Sequence, residues 1–117
     1  MSRRTQRIND LIRDEISLLL QRQVKDPRLG GLVTVTGVST SADLRHAKIF
    51  VSIMGDETEK KEALAGLDRA SGFFRRELAE RISLRRIPEL SFRRDDSIEQ
   101  GTQLLKLIER LSSSDTD

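Results

Sequence analysis

The chain of 117 residues contains no cysteine, tyrosine or tryptophan, and it has only four phenylalanines. Without cysteine it can form neither disulfides nor thiolate metal sites, and so few aromatic side chains limit the reading of nucleic-acid bases by stacking. Runs of consecutive apolar residues, such as Leu18–Leu20, do not exceed three residues. A membrane span needs roughly 20. Because the polar start MSRRTQRIND also lacks the apolar core of a signal peptide, we expect a cytoplasmic protein without a membrane partner.

The formal net charge of +2 conceals a division of charge into blocks along the chain. Residues 1–25 carry six basic and three acidic side chains, and residues 69–94 carry eight arginines against three glutamates. Acidic side chains are in excess over residues 26–68 and 95–117. Arginine has a planar head with several donors that suits phosphate. The blocks therefore favour a polyanionic partner.

Hydrophobic spacing predicts one domain with the order helix, strand, strand, long or broken helix, strand, helix. Apolar residues at intervals of three and four predict the first helix over Thr5–Val24, where Asp26-Pro27 ends it. Alternating residues predict strands near 33–38 and 47–53, and Gly37 is typical of a bulge in the first of them.

The second helix has a capping-box spacing at its start, formed by Asp56 and Glu59. Its apolar period runs from about Glu57 to Ser83 and passes through Gly72, which costs roughly 1 kcal/mol relative to alanine inside a helix. A strand follows Pro88, a last helix opens at Asp96 with Glu99, and the SSSDTD end is typical of disorder. We therefore predict a domain over residues 1–111 and a disordered tail over 112–117.

No group of residues has the composition of a catalytic site. The single histidine, His46, lies at a strand start without an identifiable partner, so a surface role is favoured over a hydrolase that uses it. Helix capping explains the acidic pairs Asp56-Glu57 and Asp95-Asp96 better than cation binding does. We predict a protein that is not an enzyme, with no cofactor, no metal and no small-molecule substrate.

The outer face of the second helix combines Arg69, Gly72, Phe73 and Arg76 at offsets of three, four and seven. Charged side chains on the outer face of a helix are ordinary, but a glycine there also lets a backbone or a nucleotide approach closely. Phe73 is either a core residue or an aromatic platform for a base. Further arginines through residue 94 predict an extended positive surface that contacts folded RNA by shape and backbone.

Four motifs in order resemble the bacterial ribosome-binding factor A family: KDPRLG, TVTGV, S-A-D-L-x-x-A and LRRIPELSFRRDDS. The resemblance extends from about Thr5 to Leu111. It implies an α+β fold similar to a type II KH domain, with the order helix-strand-strand-helix-kink-helix-strand and a C-terminal helix. It also implies a cytoplasmic, non-enzymatic assembly factor that binds the free small (30S) ribosomal subunit and assists 16S rRNA processing and maturation, notably in the cold.

The resemblance also concerns the glycine within the second helix. Ordinary KH domains hold a nucleic-acid backbone with a G-x-x-G loop, whereas this family has an A-x-G kink, which corresponds here to Ala70, Ser71 and Gly72. Arg75 stands where a second glycine would be expected. We therefore predict a bend near Ser71 and Gly72, and RNA binding by the surrounding positive surface.

The predicted partners are the 30S subunit and its 16S rRNA, bound by a monomer. The residues predicted to contact RNA are Arg69, Arg75, Arg76, Arg81, Arg85 and Arg86, with Arg3, Arg4 and Arg7 secondary. An alternative is a protein-interaction module whose opposed charge blocks pair with an acidic protein or with a second copy of the chain.

Overall fold

A three-stranded sheet and the helices around it follow the predicted order of elements. The computed structural model describes residues 2–22 and 33–114. Its elements in chain order are α1 (Arg3–Arg22), β1 (Val33–Thr40), β2 (His46–Ile53), α2 (Glu57–Arg69), α3 (Ser71–Arg81), β3 (Glu89–Arg94) and α4 (Ser97–Ser114). The α+β class and the KH-like order are confirmed. The KDPRLG motif and the predicted end of the first helix at Val24 lie outside the described residues.

Both kinds of strand pairing occur in the sheet, whose strand order is β1-β2-β3. The first two strands are antiparallel, and β3 returns parallel to β2 because α2 and α3 cross over between them. The register of β1 shifts between Val35 and Gly37, which confirms the predicted bulge. The extra residue, Thr36, allows both Val35 and Val38 to pack against the core although they are three positions apart.

One continuous core lies between the helices and the sheet. On α2 and α3 it contains Ala63, Leu67, Phe74 and Leu78, which belong to the apolar period that predicted the second helix. The ring of Phe74 is fully buried, with its centroid 5.5 Å from those of Phe73 and Phe92. The apolar face of α1 is buried through Ile8, Ile12, Ile16, Leu19 and Leu20, whereas Leu11, which the same spacing placed on that face, is exposed.

The break between α2 and α3 falls at Ala70. Its φ and ψ are −87° and 2°, far from the ψ of about −42° that continues a helix. Its N–H donates to the carbonyls of Gly66 and Leu67, and its carbonyl accepts from the N–H of Phe74. Gly72 lies within the first turn of α3 without a positive φ, so the bend occurs just before the predicted position. The continuous apolar period in the sequence does not reveal the break, because the two helices bury the same face.

Three polar residues of the described part, Asn9, Thr40 and Lys60, are buried and were not predicted to be so. Asn9 of α1 is 3% exposed, and its Oδ1 accepts a hydrogen bond from the N–H of Thr40 at 3.0 Å. This contact joins α1 to the end of β1. Lys60 of α2 is 6% exposed.

The predicted capping box of α2 is confirmed, because Asp56 accepts from the N–H of Glu59 and Glu59 accepts from the N–H of Asp56.

The last helix, α4, exposes much of its apolar side, with Leu104, Leu105 and Leu111 more than half exposed. Its start is fixed by Asp95, whose carboxylate accepts from the N–H of Ser97 and the hydroxyl of Thr36 at 2.9 and 2.7 Å. The helix includes residues 112–114 of the predicted tail, and residues 115–117 lie outside the described residues. The domain boundary at residue 111 stays a prediction.

Two glycine-to-alanine substitutions give opposite expected changes in stability. A Cβ at Gly72 meets only Nη1 of Arg76, at 3.8 Å, so Gly72→Ala should raise the free energy of unfolding by about 0.4–1 kcal/mol. Gly55 has a φ of +129°, and a Cβ there lies 3.0 Å from that of Glu59, so Gly55→Ala should cost roughly 1–3 kcal/mol. Urea unfolding measures both, and a destabilised Gly72→Ala variant would contradict the open space beside Arg76.

Candidate nucleic-acid interface

The surface at the break combines the end of α2 with the first turns of α3, and we call it the α3 surface. Arg69 of α2 and Gly72 and Arg76 of α3 are exposed there, and the closeness of Arg76 Nη1 to Gly72 places its guanidinium over the start of α3. Neither arginine forms an ion pair with a carboxylate of the described residues. Phe73 is half-buried and packs edge-on against Phe74. The structure therefore supports its role as a core residue over that of an aromatic platform for a base. The face therefore offers two cations and a glycine, without an aromatic platform.

Two further predicted arginines make contacts within the fold. Arg75 Nη2 donates to the carbonyl of Ile87 at 3.3 Å, which ties α3 to the segment that precedes β3. Arg81 lies between two carboxylates, 3.8 Å from Glu15 of α1 and 3.6 Å from Glu77. The charge of Arg81 is thus offset by neighbouring acids. Arg75 keeps an exposed side chain on the same helix as Arg76.

The two arginines at the end of β3 have different surroundings. Arg94 donates to both carboxylate oxygens of Glu57, at 2.5 and 3.2 Å, and also pairs with Asp96 at 3.3 Å. The hydrogen bond from Arg94 lowers the pKa of the Glu57 carboxyl below its ordinary value. Arg93 is exposed on the opposite side of the strand. Arg94 therefore joins the end of β3 to the start of α2, while Arg93 stays at the surface.

A second group of arginines surrounds a cavity of about 480 Å³ at the other end of the sheet. We call it the basic groove, and it is lined by Arg4, Ile8, Asp43, Leu44, Arg45, Leu84, Arg85, Arg86 and Pro88. It brings Arg4 of α1 together with Arg85 and Arg86, which were predicted from distant parts of the sequence. The two other predicted arginines of α1, Arg3 and Arg7, are exposed outside the lining.

One wall of the basic groove is the loop between β1 and β2. Leu44 has a φ of 61°, a conformation that is uncommon for a branched side chain. The loop is held by Asp43, whose Oδ1 accepts from the Ser41 hydroxyl at 2.6 Å and from the N–H of Arg45 at 3.1 Å. These bonds, first that of Ser41, lower the pKa of Asp43. The Arg45 carbonyl accepts from the N–H of Glu89 at 2.8 Å, so the loop is also tied to β3.

Arg45 is a member of the basic groove that the sequence analysis missed. It stands in a segment with an excess of acidic side chains, so the summed charge of that segment does not indicate a basic site. A usable signal was its position in the loop between two predicted strands, because that loop lies at the end of the sheet where α1 begins.

His46 has a surface partner that the sequence did not identify. Its Nδ1 lies 3.7 Å from a carboxylate oxygen of Glu89 on the neighbouring strand, and both side chains are largely exposed. Within residues 2–22 and 33–114 no cluster of histidine, aspartate or glutamate is arranged to hold a metal ion. None of the helices in the described part is long and apolar enough to cross a membrane.

The element order, the parallel return of β3 and the arginine-bearing elbow between α2 and α3 define a KH-like domain with a basic surface. The sequence model of the ribosome-binding factor A family matches residues 4–108. The chain belongs to the ribosome-binding factor A family.

Proteins named ribosome-binding factor A are similar over most of the chain. The protein of Cyanothece sp. is 52% identical over 111 residues, which are 94% of this chain and 83% of the relative. That of Acetivibrio thermocellus is 47% identical over 110 residues, 94% of this chain and 89% of the relative. Both levels of identity are far above what the fold alone requires.

Two solved structures are also similar. The crystal structure of ribosome-binding factor A from Thermus thermophilus aligns with a TM-score of 0.68 and 28% identity, over 77% of this chain and 94% of that one. A homology model of the Thermus thermophilus factor, fitted into the cryo-EM map of its 30S complex, aligns with a TM-score of 0.61 and 27% identity. That alignment covers 83% of this chain and 97% of the fitted one.

The neighbouring arginines of β3 provide a test of a structural against a surface role. A carboxyl whose pKa is lowered by folding stabilises the fold at neutral pH, and this contribution is lost as the pH falls, roughly from 5 to 2. Arg94→Ala should therefore lower the thermal midpoint at neutral pH and have a smaller effect at acid pH, once the pH has fallen through the lowered pKa of Glu57. Arg93→Ala is the matched control. Circular dichroism melts that show equal losses for both variants would contradict the assignment.

Proposed function

We propose that this protein binds the free 30S ribosomal subunit through its 16S rRNA and assists the processing and maturation of that RNA in the cytoplasm, without catalysis. Family membership supports the proposal, because a relative with the same fold was fitted into the map of a 30S complex. The observation that carries it is the presence of exposed arginines that have no carboxylate partner within residues 2–22 and 33–114, at the α3 surface and around the basic groove.

Phosphate contact requires guanidinium groups that are not already neutralised. The predicted residues that meet this condition within the described part of the chain are Arg3, Arg4, Arg7, Arg69, Arg76, Arg85 and Arg86. Arg75 retains donors beside its bond to Ile87. Arg81 has the weakest case, since Glu15 and Glu77 flank it. We infer that RNA contacts concentrate on the first group.

The arrangement suits recognition by backbone and shape. Phosphate contacts position a protein on RNA, while sequence is read from bases by hydrogen bonds and stacking. The start of α3 has no side-chain bulk at Gly72, so an RNA backbone can approach Arg69 and Arg76 closely. In this proposal the protein acts by holding one arrangement of the 16S rRNA. The free energy of binding is sufficient for that action.

The α3 surface is tested by the double variant Arg69→Ala, Arg76→Ala. Each lost phosphate contact should reduce the slope of log affinity for 30S subunits against log salt by about 1, so the double variant should lose about 2. Affinity for small subunits is measured by sedimentation or fluorescence anisotropy at several salt concentrations. The matched control is Arg13→Ala, Lys61→Ala, which removes the same charge from other exposed positions.

An unchanged slope in the α3 variant, with the fold intact, would remove this surface from the proposed interface. The maturation role has its own readout in cells that lack the protein. We expect immature 16S rRNA ends to accumulate, more strongly at low temperature, and the α3 variant should restore processing less well than the control. Normal 16S ends at low temperature in those cells would contradict the maturation role.

The alternative of an interaction module is favoured by one observation, the exposed apolar side chains of α4. Contiguous exposed apolar residues are typical of protein contacts. Sedimentation of the purified protein without RNA tests this alternative. A monomer at all concentrations argues against a second copy as the partner, and a stable dimer supports it.

A further inference from the structure

We propose that the basic groove binds a single unpaired nucleotide of RNA, with its phosphate on the arginines and its base against the apolar wall. The proposal rests on the proposed function, because it assigns one specific contact to an RNA-binding protein. The groove differs from the α3 surface, which lies on other elements and can bind any accessible phosphate backbone.

The lining of the groove has a large excess of positive charge. Arg4, Arg45, Arg85 and Arg86 come from α1, from the β1–β2 loop and from the segment before β3, and Asp43 is the single acid of the lining among the residues that the structure describes. None of the four forms an ion pair with a carboxylate in the described part of the chain. Guanidinium groups that converge from three elements form a site for an anion with several acceptor oxygens, such as a phosphodiester.

The groove is more than a phosphate site, because its other walls are apolar. Leu44 and Leu84 are half-buried there, beside Ile8 and Pro88. Its volume of about 480 Å³ lies in the range of sites for small organic ligands, and a phosphate alone leaves most of it empty. The flat apolar face of a base can fill the remaining space against these walls. In a duplex the bases are stacked inside, so only an unpaired nucleotide can reach these walls.

The presence of Asp43 in the lining favours a nucleotide over a bare phosphate as the ligand of the groove. A carboxylate repels phosphate, but it accepts hydrogen bonds from the N–H groups of a base or the hydroxyl of a ribose. Its pKa is lowered by the bonds to Ser41 and Arg45, so the acceptor stays charged at neutral pH. The groove therefore offers donors for one part of a nucleotide and an acceptor for another.

The loop that presents Arg45 is held by hydrogen bonds of the protein itself. The bonds of Asp43 fix its start, the N–H of Leu44 donates to the Ser41 carbonyl at 2.9 Å, and Glu89 holds the Arg45 carbonyl. The positive φ of Leu44 is maintained by these contacts. Strained backbone of this kind is concentrated at functional sites, and a preorganised loop loses little entropy on binding.

Short RNAs separate the groove from the α3 surface. The groove variant Arg45→Ala, Arg86→Ala should weaken binding of a single-stranded RNA oligonucleotide roughly tenfold or more, and weaken a blunt RNA duplex of equal length much less. The α3 variant Arg69→Ala, Arg76→Ala removes the same charge and should weaken both RNAs to a similar degree. Fluorescence anisotropy at fixed salt measures all four affinities. Equal losses for the two RNAs in the groove variant, or no loss, would overturn the proposal.

Cross-linking on the 30S subunit identifies the nucleotide directly. Because the chain lacks cysteine, Ala42→Cys beside the groove and Ala79→Cys on the exposed side of α3 each carry a single photoreactive label. We expect the label at residue 42 to reach unpaired 16S rRNA nucleotides. Cross-links from residue 79 with none from residue 42, or with only paired nucleotides, would reject the groove and leave the proposed function standing. No cross-link from either position would reject both.

Discussion

Burial of Phe74 against the sheet holds α2 and α3 in place on either side of Ala70. Its ring contacts Phe92 of β3, and the same buried face continues through Leu67 and Leu78 although the helix is interrupted. An apolar side chain of this size gains roughly 1.5–3 kcal/mol when it leaves water. Because that face must point inward, the arginines of both helices have to lie at the rim or on the outside, and the break decides which of them face the same way.

The sorting of arginines follows from which carboxylates the fold brings near them. Arg94 and Arg81 are next to acids of other elements, so they connect the fold. Arg76 and Arg86 have no such neighbour among the described residues and remain available to an anion. A net charge of +2 is therefore compatible with a strongly basic interface, because much of the acidic charge is either paired inside the fold or placed in other segments.

Local patterns in the sequence predicted the elements, the bulge at Gly37 and the capping box at Asp56, since each depends on residues that are close along the chain. A break in the second helix was predicted from a family resemblance and not from periodicity, and it was expected near Ser71 and Gly72, just after its observed position at Ala70. Contacts between distant segments were not predictable. Asn9 with Thr40, and Arg45 with the segment before β3, depend on how the ends of elements meet. The basic groove is of this second kind, which is why only part of it was identified.

We propose that the arginines without acidic partners in the described part of the chain meet RNA and that the paired ones do not. Chemical modification of arginines, read by mass spectrometry in the free protein and in its complex with 30S subunits, tests this most directly. We expect protection of Arg76, Arg45 and Arg86 and unchanged modification of Arg13, which lies beside Asp10 and Asp14. Protection of Arg13 with continued modification of the other three would contradict it.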